Sequence, residues 1–276
     1  MRSGTLSRRE VIGAAGMIAL GMNSRLPEAG AAQAPARQNV DPGSVKAFVF
    51  DVFGTVVDWR SSVAREVDAV AKAKGVKIDG AAFADAWREQ YAPSMSRVRT
   101  GELPWMRLDT LHRMILDRLL PDVGLGGLSE AERAALNRAW HRLQPWPDAV
   151  AGLTRLKKRF IIAPLSNGNI ALMTNLAKHG GLPWDCILGA ELVRHYKPDR
   201  DVYVSAADFL DLRPAEVVMV AAHLGDLRAA KGLGLRTAFV VRPNEYGPTR
   251  TPDLQPDASV DVAAQDFVDL AGQLGA

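Results

Sequence analysis

The sequence predicts an α/β protein: a Rossmann-like parallel sheet core with an inserted helical cap domain. Three observations lead there. An apolar run, Ala47-Phe48-Val49-Phe50, ends in a carboxylate, Asp51. About a hundred residues of helical periodicity follow it. From Asp148 onward, short apolar runs alternate with helical segments, the mark of parallel βαβ units. The boundaries expected are a core over 45–60 and 147–276 and a cap over 61–146.

Each element has a local reason. The first strand is a continuous apolar run, as a strand buried on both faces requires. Val63, Val67, Val70 and Ala71 make the apolar face of a first cap helix opening at Ser61-Ser62. A second helix spans 81–91 and is expected to stop at Pro93. Leu108, Leu111, Ile115 and Leu119 form a third stripe. Ser129 and Glu132 have capping-box spacing, so a fourth helix opens there and carries Leu136, Ala139, Trp140 and Leu143, with Pro145 and Pro147 ending it. The core resumes with a helix carrying Val150, Leu153 and Leu156, then the run Phe160–Leu165. A helix over 170–179, a short strand near 186–188 and a helix over 202–210 follow. The strand 217–221, a helix near 227–232 and the strand 237–241 complete the alternation. Lys157-Lys158-Arg159 reads as a solvated turn.

Residues 1–34 read as a leader. Ser7-Arg8-Arg9-Glu10-Val11-Ile12 is a twin-arginine pattern, an apolar stretch runs over 11–22, and Ala32-Gln33-Ala34 offers a small-x-small cleavage site. The apolar stretch is shorter than the ~20 residues that span a bilayer, so a twin-arginine signal peptide is expected, and with it export to the periplasm by the twin-arginine machinery. A disordered extension is the alternative. Residues 35–44 read as a linker.

Composition narrows the function. The chain has 276 residues, 47% hydrophobic and 24% charged, a globular balance. Removing residues 1–34 takes away four arginines and two glutamates, so the net charge falls from +3 to about +1. That gives no support for a nucleic-acid partner. Cys186 is the single cysteine. It permits no intrachain disulfide and reads as a small core residue.

Polar residues cluster where the strands end. Ligands of open parallel sheets bind outside the carboxyl ends of the strands. Asp51 and Thr55 follow the first strand. Ser166, Asn167 and Gly168 follow the second. Lys197-Pro198-Asp199 comes at the next connection, and His223 and Asp226 follow the fourth. A carboxylate nucleophile needs such company. Lys197 can keep Asp51 ionised. Thr55, Ser166 and Asn167 can donate hydrogen bonds to it or to a substrate, and Asp226 can position or deprotonate a water. Singly each is a common turn or cap residue; together, in order, they describe a site. No His, Cys or Asp cluster has metal-ligand spacing, and His112, His141, His179 and His195 read as structural.

The ordered set FDVFGT, LSNG, YKPD and the Asp226 loop resembles the haloacid dehalogenase superfamily, over about residues 45–243. The resemblance implies its fold and a nucleophilic Asp51. It also points to a subgroup. Phosphatases of the superfamily carry a second aspartate two residues after the nucleophile to protonate the leaving alcohol; here that residue is Phe53. A halide leaves as a stable anion and needs no such acid. Phosphatases also commonly pair acids on the last loop, whereas Asp226 is flanked by Gly225 and Leu227. The pattern is similar to the type II L-2-haloacid dehalogenases, which use no metal or other cofactor and are often homodimers.

In that group a cap arginine receives the halide and orients the substrate, and Arg88 matches it. On spacing alone Arg88 reads as a surface helix residue. Tyr203, six residues after Lys197, matches a family position that orients the lysine or the water, and equally reads as a half-buried helix tyrosine. Family members often have Ser-Ser-Asn before the loop aspartate, where this chain has Ala221-Ala222-His223. His223 can take the Asn position as a hydrogen-bond donor or tune the water. The expected reaction is hydrolysis of short (S)-2-haloacids to (R)-2-hydroxyacids through an ester of Asp51. The 2-haloalkanoate carboxylate would face Ser166 and backbone N–H groups, and the halide would face Arg88, Asn167 and Phe53. A magnesium-dependent phosphohydrolase of the same fold and a catalytically silent exported binding protein are the two rivals.

Overall fold

The computed structural model describes residues 40–248 and 250–276. The leader expected over residues 1–34 lies outside the described residues, as does the first half of the expected linker. The chain elements are, in order, β1 (Ala47–Phe50), β2 (Val57–Asp58), α1 (Trp59–Lys74), α2 (Gly80–Glu89), α3 (Tyr91–Arg99), α4 (Leu108–Leu119), α5 (Glu130–Asn137) and β3 (Gln144–Pro145). Then come α6 (Ala149–Lys157), β4 (Ile161–Ser166), α7 (Ile170–Gly180), β5 (Leu188–Gly189), α8 (Ala190–Val193), α9 (Arg200–Asp208), β6 (Val217–Ala221), α10 (Leu224–Gly232), β7 (Arg236–Val240), β8 (Val262–Ala264) and α11 (Phe267–Gln273).

Six strands form one parallel sheet in the order β5-β4-β1-β6-β7-β8. β1 is central, paired with β4 on one side and β6 on the other. Its four residues are all buried, with alternate side chains facing opposite ways. Phe48 and Phe50 join one apolar cluster, with Leu153 and Leu156 of α6, Leu172 of α7 and Phe267 of α11. Ala47 and Val49 join a second, with Val202 and Ala206 of α9 and Leu227 of α10. Both sheet faces are therefore covered, which is why the strands read as unbroken apolar runs. Because the strands are parallel, β1, β4, β6 and β7 all end on one edge.

The insertion between β1 and β4 is helical from Trp59 to His141. Three details differ from the sequence expectation. α1 opens at Trp59, capped by Asp58, whose side chain accepts from Ser61 N; Ser62 is buried and takes Gln144 N instead. Pro93 does not stop a helix. α2 closes at Glu89, and Pro93 sits in the first turn of α3, where a missing N–H costs no helical hydrogen bond. The Ser129–Glu132 capping box forms as expected, but α5 ends at Asn137 and Trp140 lies in a 3₁₀ turn.

Two further findings concern the chain ends. Val40 is buried against the core, and Asp41 closes a turn through Gly43 N, so the final residues of the expected linker are anchored. β8 and α11 extend the sheet and cover it, although the sequence reading stopped at β7. Phe267 of α11 meets Phe50 edge to face, with centroids 5.5 Å apart, a pairing worth about 0.5–1.5 kcal/mol beyond its buried area. Cys186 is half-buried at the margin of the second cluster and is not a full core residue.

Candidate active site

The site starts from a tight loop. After β1 the chain turns through residues 51–57, held by Val56 N to Val52 O at 2.9 Å and Gly54 N to Val57 O at 3.0 Å. The turn folds Thr55 back over Asp51, and Thr55 Oγ1 donates to Asp51 Oδ2 at 2.8 Å. The same hydroxyl accepts Ala222 N at 3.0 Å, which fixes its proton towards the carboxylate. Arg242, after β7, secures the loop from below. Its Nε donates to Thr55 O at 2.8 Å and its two terminal nitrogens bind the carboxylate of Asp148, each at 2.8 Å. Such a bidentate pair orients as well as attracts.

Lys197 arrives from the connection between α8 and α9. Asn167 Oδ1 takes its backbone N–H at 2.7 Å, so the turn after β4 positions the lysine. Lys197 Nζ then lies 3.0 Å from Asp51 Oδ1 and 2.5 Å from Asp226 Oδ2. Tyr203 OH donates to Asp226 Oδ1 at 2.5 Å. Tyr203 is fully buried on α9 and orients Asp226, not the lysine.

These contacts set the charges. Burial works against an ionised Asp51, but Lys197, His223 and Thr55 outweigh it and hold the carboxyl far below the usual range. For Asp226 burial wins, helped by the like charge of Asp51, and raises its pKa despite Lys197. Burial disfavours charge on Lys197 as well, yet its two carboxylate partners raise it. The rim therefore holds one firmly ionised carboxylate beside a more basic one, with an ammonium between them.

His223, the residue preceding α10, faces Asp51 from the other side. Its Nδ1 lies 3.1 Å from Asp51 Oδ2, and its Nε2 lies 3.0 Å from both oxygens of Glu245. Burial opposes charging of the imidazole, but Glu245 and Asp51 push its pKa up to about 10. The sequence reading missed Glu245. It lies in the loop after β7, so the strand-end rule that picked out the other four groups, applied to this strand too, reaches it.

Ser166 and Asn167 do not contact Asp51. Ser166 Oγ takes Gly168 N at 3.0 Å and shapes the turn after β4; its proton remains available. Asn167 holds Lys197 and donates to the Tyr91 hydroxyl, whose pKa is raised by burial. Arg88 of α2 likewise makes no contact with Asp51. Its guanidinium stacks 4.0 Å from the Tyr91 ring centre, and its Nε is buried with no hydrogen-bond partner among the described residues. Phe53 packs edge-on against Tyr91, His112 and Trp140, with centroids 6.3, 6.4 and 5.7 Å away. His112 is fully buried, and that burial depresses its pKa to about 3, leaving it neutral. The wall beside Asp51 is therefore aromatic. A cleft of about 720 Å³ reaches Arg88 and Tyr91 from the surface, bordered by Trp59, Met95, Tyr246 and Arg250.

Residues 45–234 match the haloacid dehalogenase-like hydrolase family. The chain belongs to that family. Relatives within it include (S)-2-haloacid dehalogenases. The (S)-2-haloacid dehalogenase 1 of Pseudomonas sp. (strain CBS-3) is 32% identical over 218 residues, covering 75% of this chain and 89% of that protein. The crystal structure of the defluorinating L-2-haloacid dehalogenase Rha0230 is 48% identical, with a TM-score of 0.82 over 84% of this chain and 96% of its own. The L-2-haloacid dehalogenase from Xanthobacter autotrophicus, solved with chloropropionic acid covalently bound, is 26% identical, with a TM-score of 0.69 over 84% and 98%. Like other haloacid dehalogenase-like hydrolases, this one has a parallel sheet flanked by helices.

A divalent cation, which phosphatases of this superfamily use, does not fit the residues present. The Lys197 ammonium occupies the space between Asp51 and Asp226, and the position two after Asp51 holds a buried phenylalanine. Among the described residues no group of three or more His, Cys, Asp or Glu is placed to hold a metal.

Proposed function

We propose that this hydrolase converts short (S)-2-haloacids to (R)-2-hydroxyacids through an ester of Asp51, without a metal ion. The observation that carries the reading is the state of Asp51: an ionised carboxylate at the end of β1, tied to Lys197 at 3.0 Å, with Phe53 where an acid for an alcohol leaving group would stand. Ionisation makes Asp51 a nucleophile, and a halide needs no proton to depart.

Asp51 attacks C2 in line with the carbon–halogen bond, from the opposite face, so the configuration inverts. The electron pair of that bond leaves on the halide. Arg88, whose Nε lacks a partner among the described residues, receives the anion together with Asn167. A guanidinium suits this task because it is always charged and weakly hydrated. Phe53, Tyr91 and Trp140 keep the region dry, which strengthens each ion–dipole contact. Ser166 and neighbouring N–H groups take the substrate carboxylate. Water, activated by Asp226 beside Lys197, then cleaves the ester. The covalent chloropropionic acid in the Xanthobacter relative supports such an intermediate.

The test is halide release from L- and D-2-chloropropionate in EDTA, beside an Asp51→Asn control. Release from the L form that the substitution abolishes is the expected result. Release only after magnesium is added, or none, overturns it. Fluoroacetate belongs in the same assay because of the similarity to a defluorinating enzyme. Export by the twin-arginine pathway belongs to the proposal as well, supported by residues 7–12 and 32–34. Cell fractionation with and without Arg8→Lys and Arg9→Lys tests it: mature protein in the cytoplasm in both cases would sink it.

A further inference from the structure

Asp51 has two unequal oxygens. Among the described residues Oδ1 accepts from Lys197 alone, whereas Oδ2 accepts from Thr55 at 2.8 Å and faces His223 Nδ1 at 3.1 Å. The oxygen with fewer donors is the better nucleophile, which makes Oδ1 the attacking atom. Oδ2 is then the carbonyl oxygen of the ester, and the negative charge returns to it when water adds. We infer that His223 is the oxyanion donor of the ester-hydrolysis step, and that Glu245 is a positioning residue that keeps its imidazole doubly protonated. The inference rests on the aspartyl-ester reading above.

Geometry leaves little choice about protonation. Each ring nitrogen of His223 faces a carboxylate, and a carboxylate only accepts. Both contacts are hydrogen bonds only if both nitrogens carry protons. His223 also precedes α10, where the helix N-terminus disfavours a cation, so the charge needs a source of support. Glu245 supplies it. Its side chain is fully buried, and Trp59 Nε1 donates to Oε1 at 3.3 Å. Gly54, at φ +87, leaves it room: a Cβ there would meet Glu245 Oε1 at 2.1 Å. A buried carboxylate beneath a glycine, aimed at a histidine that touches the nucleophile, has no structural need to be charged. Other ionisable groups nearby are Lys197 and Asp226 across Asp51, Tyr246 beside Glu245, and Asp253, which accepts Leu224 N at 2.8 Å.

The bonds balance as follows. Water adds to Cγ of the ester and gives one proton to Asp226. The π pair moves to Oδ2, between Thr55 and His223. It then returns, and the Cγ–Oδ1 bond breaks. Oδ1 leaves as the hydroxyl of the product with a proton from Lys197, which is replaced from Asp226. The new carboxyl of Asp51 ionises and releases the second proton of the water. His223 gains and loses none.

The experiment is rapid mixing with L-2-chloropropionate, with chloride and the intact mass of the protein followed together. Native protein should show chloride release without accumulated ester. His223→Ala should release about one chloride per chain in a burst and then accumulate the ester, with hydrolysis slowed about 10²–10³-fold, the usual effect of losing one oxyanion donor. Slowed alkylation with no ester, in a folded variant, would overturn the inference. Glu245→Gln provides the second reading. Its hydrolysis rate should match the native rate at low pH and fall as pH rises, with the alkaline limb moved down by a unit or more. An equal loss at all pH values would mean a merely structural Glu245. His223→Asn with Glu245→Gln should restore a neutral donor and abolish that limb. If the native protein forms neither chloride nor ester, the dehalogenase reading itself fails, a distinct result.

Discussion

The Lys197 ammonium lies 3.0 Å from Asp51 Oδ1, although the two residues are 146 positions apart in the chain. The contact explains how a carboxylate buried at the end of a β-strand stays ionised. Lys197 also binds Asp226, so removing the amine leaves two carboxylates facing each other, and like charges at such range cannot both persist. Lys197→Met should abolish turnover, and in the variant Asp51 should titrate well above its native position. Breaking a buried pair from one side costs roughly 3–5 kcal/mol. The sign of the pH dependence follows from the depressed pKa of Asp51. Its contribution is present above the unfolded value of ~3.9 and is lost as pH falls. Urea unfolding of native and variant protein should therefore differ most near neutral pH and converge in acid. A constant difference down to pH 3 would exclude this account.

His223 has the opposite dependence. Its folded pKa is raised to about 10 from 6.5. The associated stability is complete below about pH 6.5 and is lost as pH rises through the folded value. Thermal melts of native protein should fall between pH 7 and 10, whereas His223→Gln should be flatter over the same range. A native curve parallel to that of the variant would mean that the imidazole is not charged in the folded state.

Much of this arrangement is legible in the sequence. Asp51, Lys197, Asp226 and His223 were found because parallel strands deliver their C-terminal residues to one edge, and apolar runs mark where strands end. Two things were not legible. Side-chain contacts between turns depend on backbone geometry, so Tyr203 could not be assigned to Asp226, nor Asn167 to the N–H of Lys197. For Glu245 the strand-end rule gives the loop after β7 but not the residue within it. It carries no motif and sits in a Pro-Asn-Glu-Tyr-Gly turn that reads as ordinary surface, yet is buried. β8 was missed because three residues, Val262–Ala264, are too few to show a period.

Gly54→Ala tests the link between the turn and the charge network. The methyl would meet the Glu245 carboxylate, in a backbone conformation that L side chains rarely adopt. Glu245 must move or the turn must open. The variant should lose more than about 1 kcal/mol and should resemble Glu245→Gln, with its alkaline limb of turnover shifted downward. A destabilised variant with an unshifted limb would separate the glycine from His223.

Under the proposed reading Phe53 separates a dehalogenase from a phosphatase wall, and two substitutions examine it. The ring is 3% exposed, enclosed by Tyr91, His112 and Trp140. Phe53→Ala removes a large buried side chain, so stability should drop by about 3–5 kcal/mol, and admitted water should slow halide departure. Phe53→Asp restores the acid that a phosphatase has at this position, but places it among the rings of Tyr91, His112 and Trp140, while Lys197 is already shared by two carboxylates. An unpaired carboxylate in such a place protonates or destabilises the fold. The expected outcome is a weakened protein without magnesium-dependent release of phosphate from p-nitrophenyl phosphate. If one substitution did confer that activity, Phe53 alone would separate the two chemistries, and the Lys197 bridge would not be the barrier to metal described above.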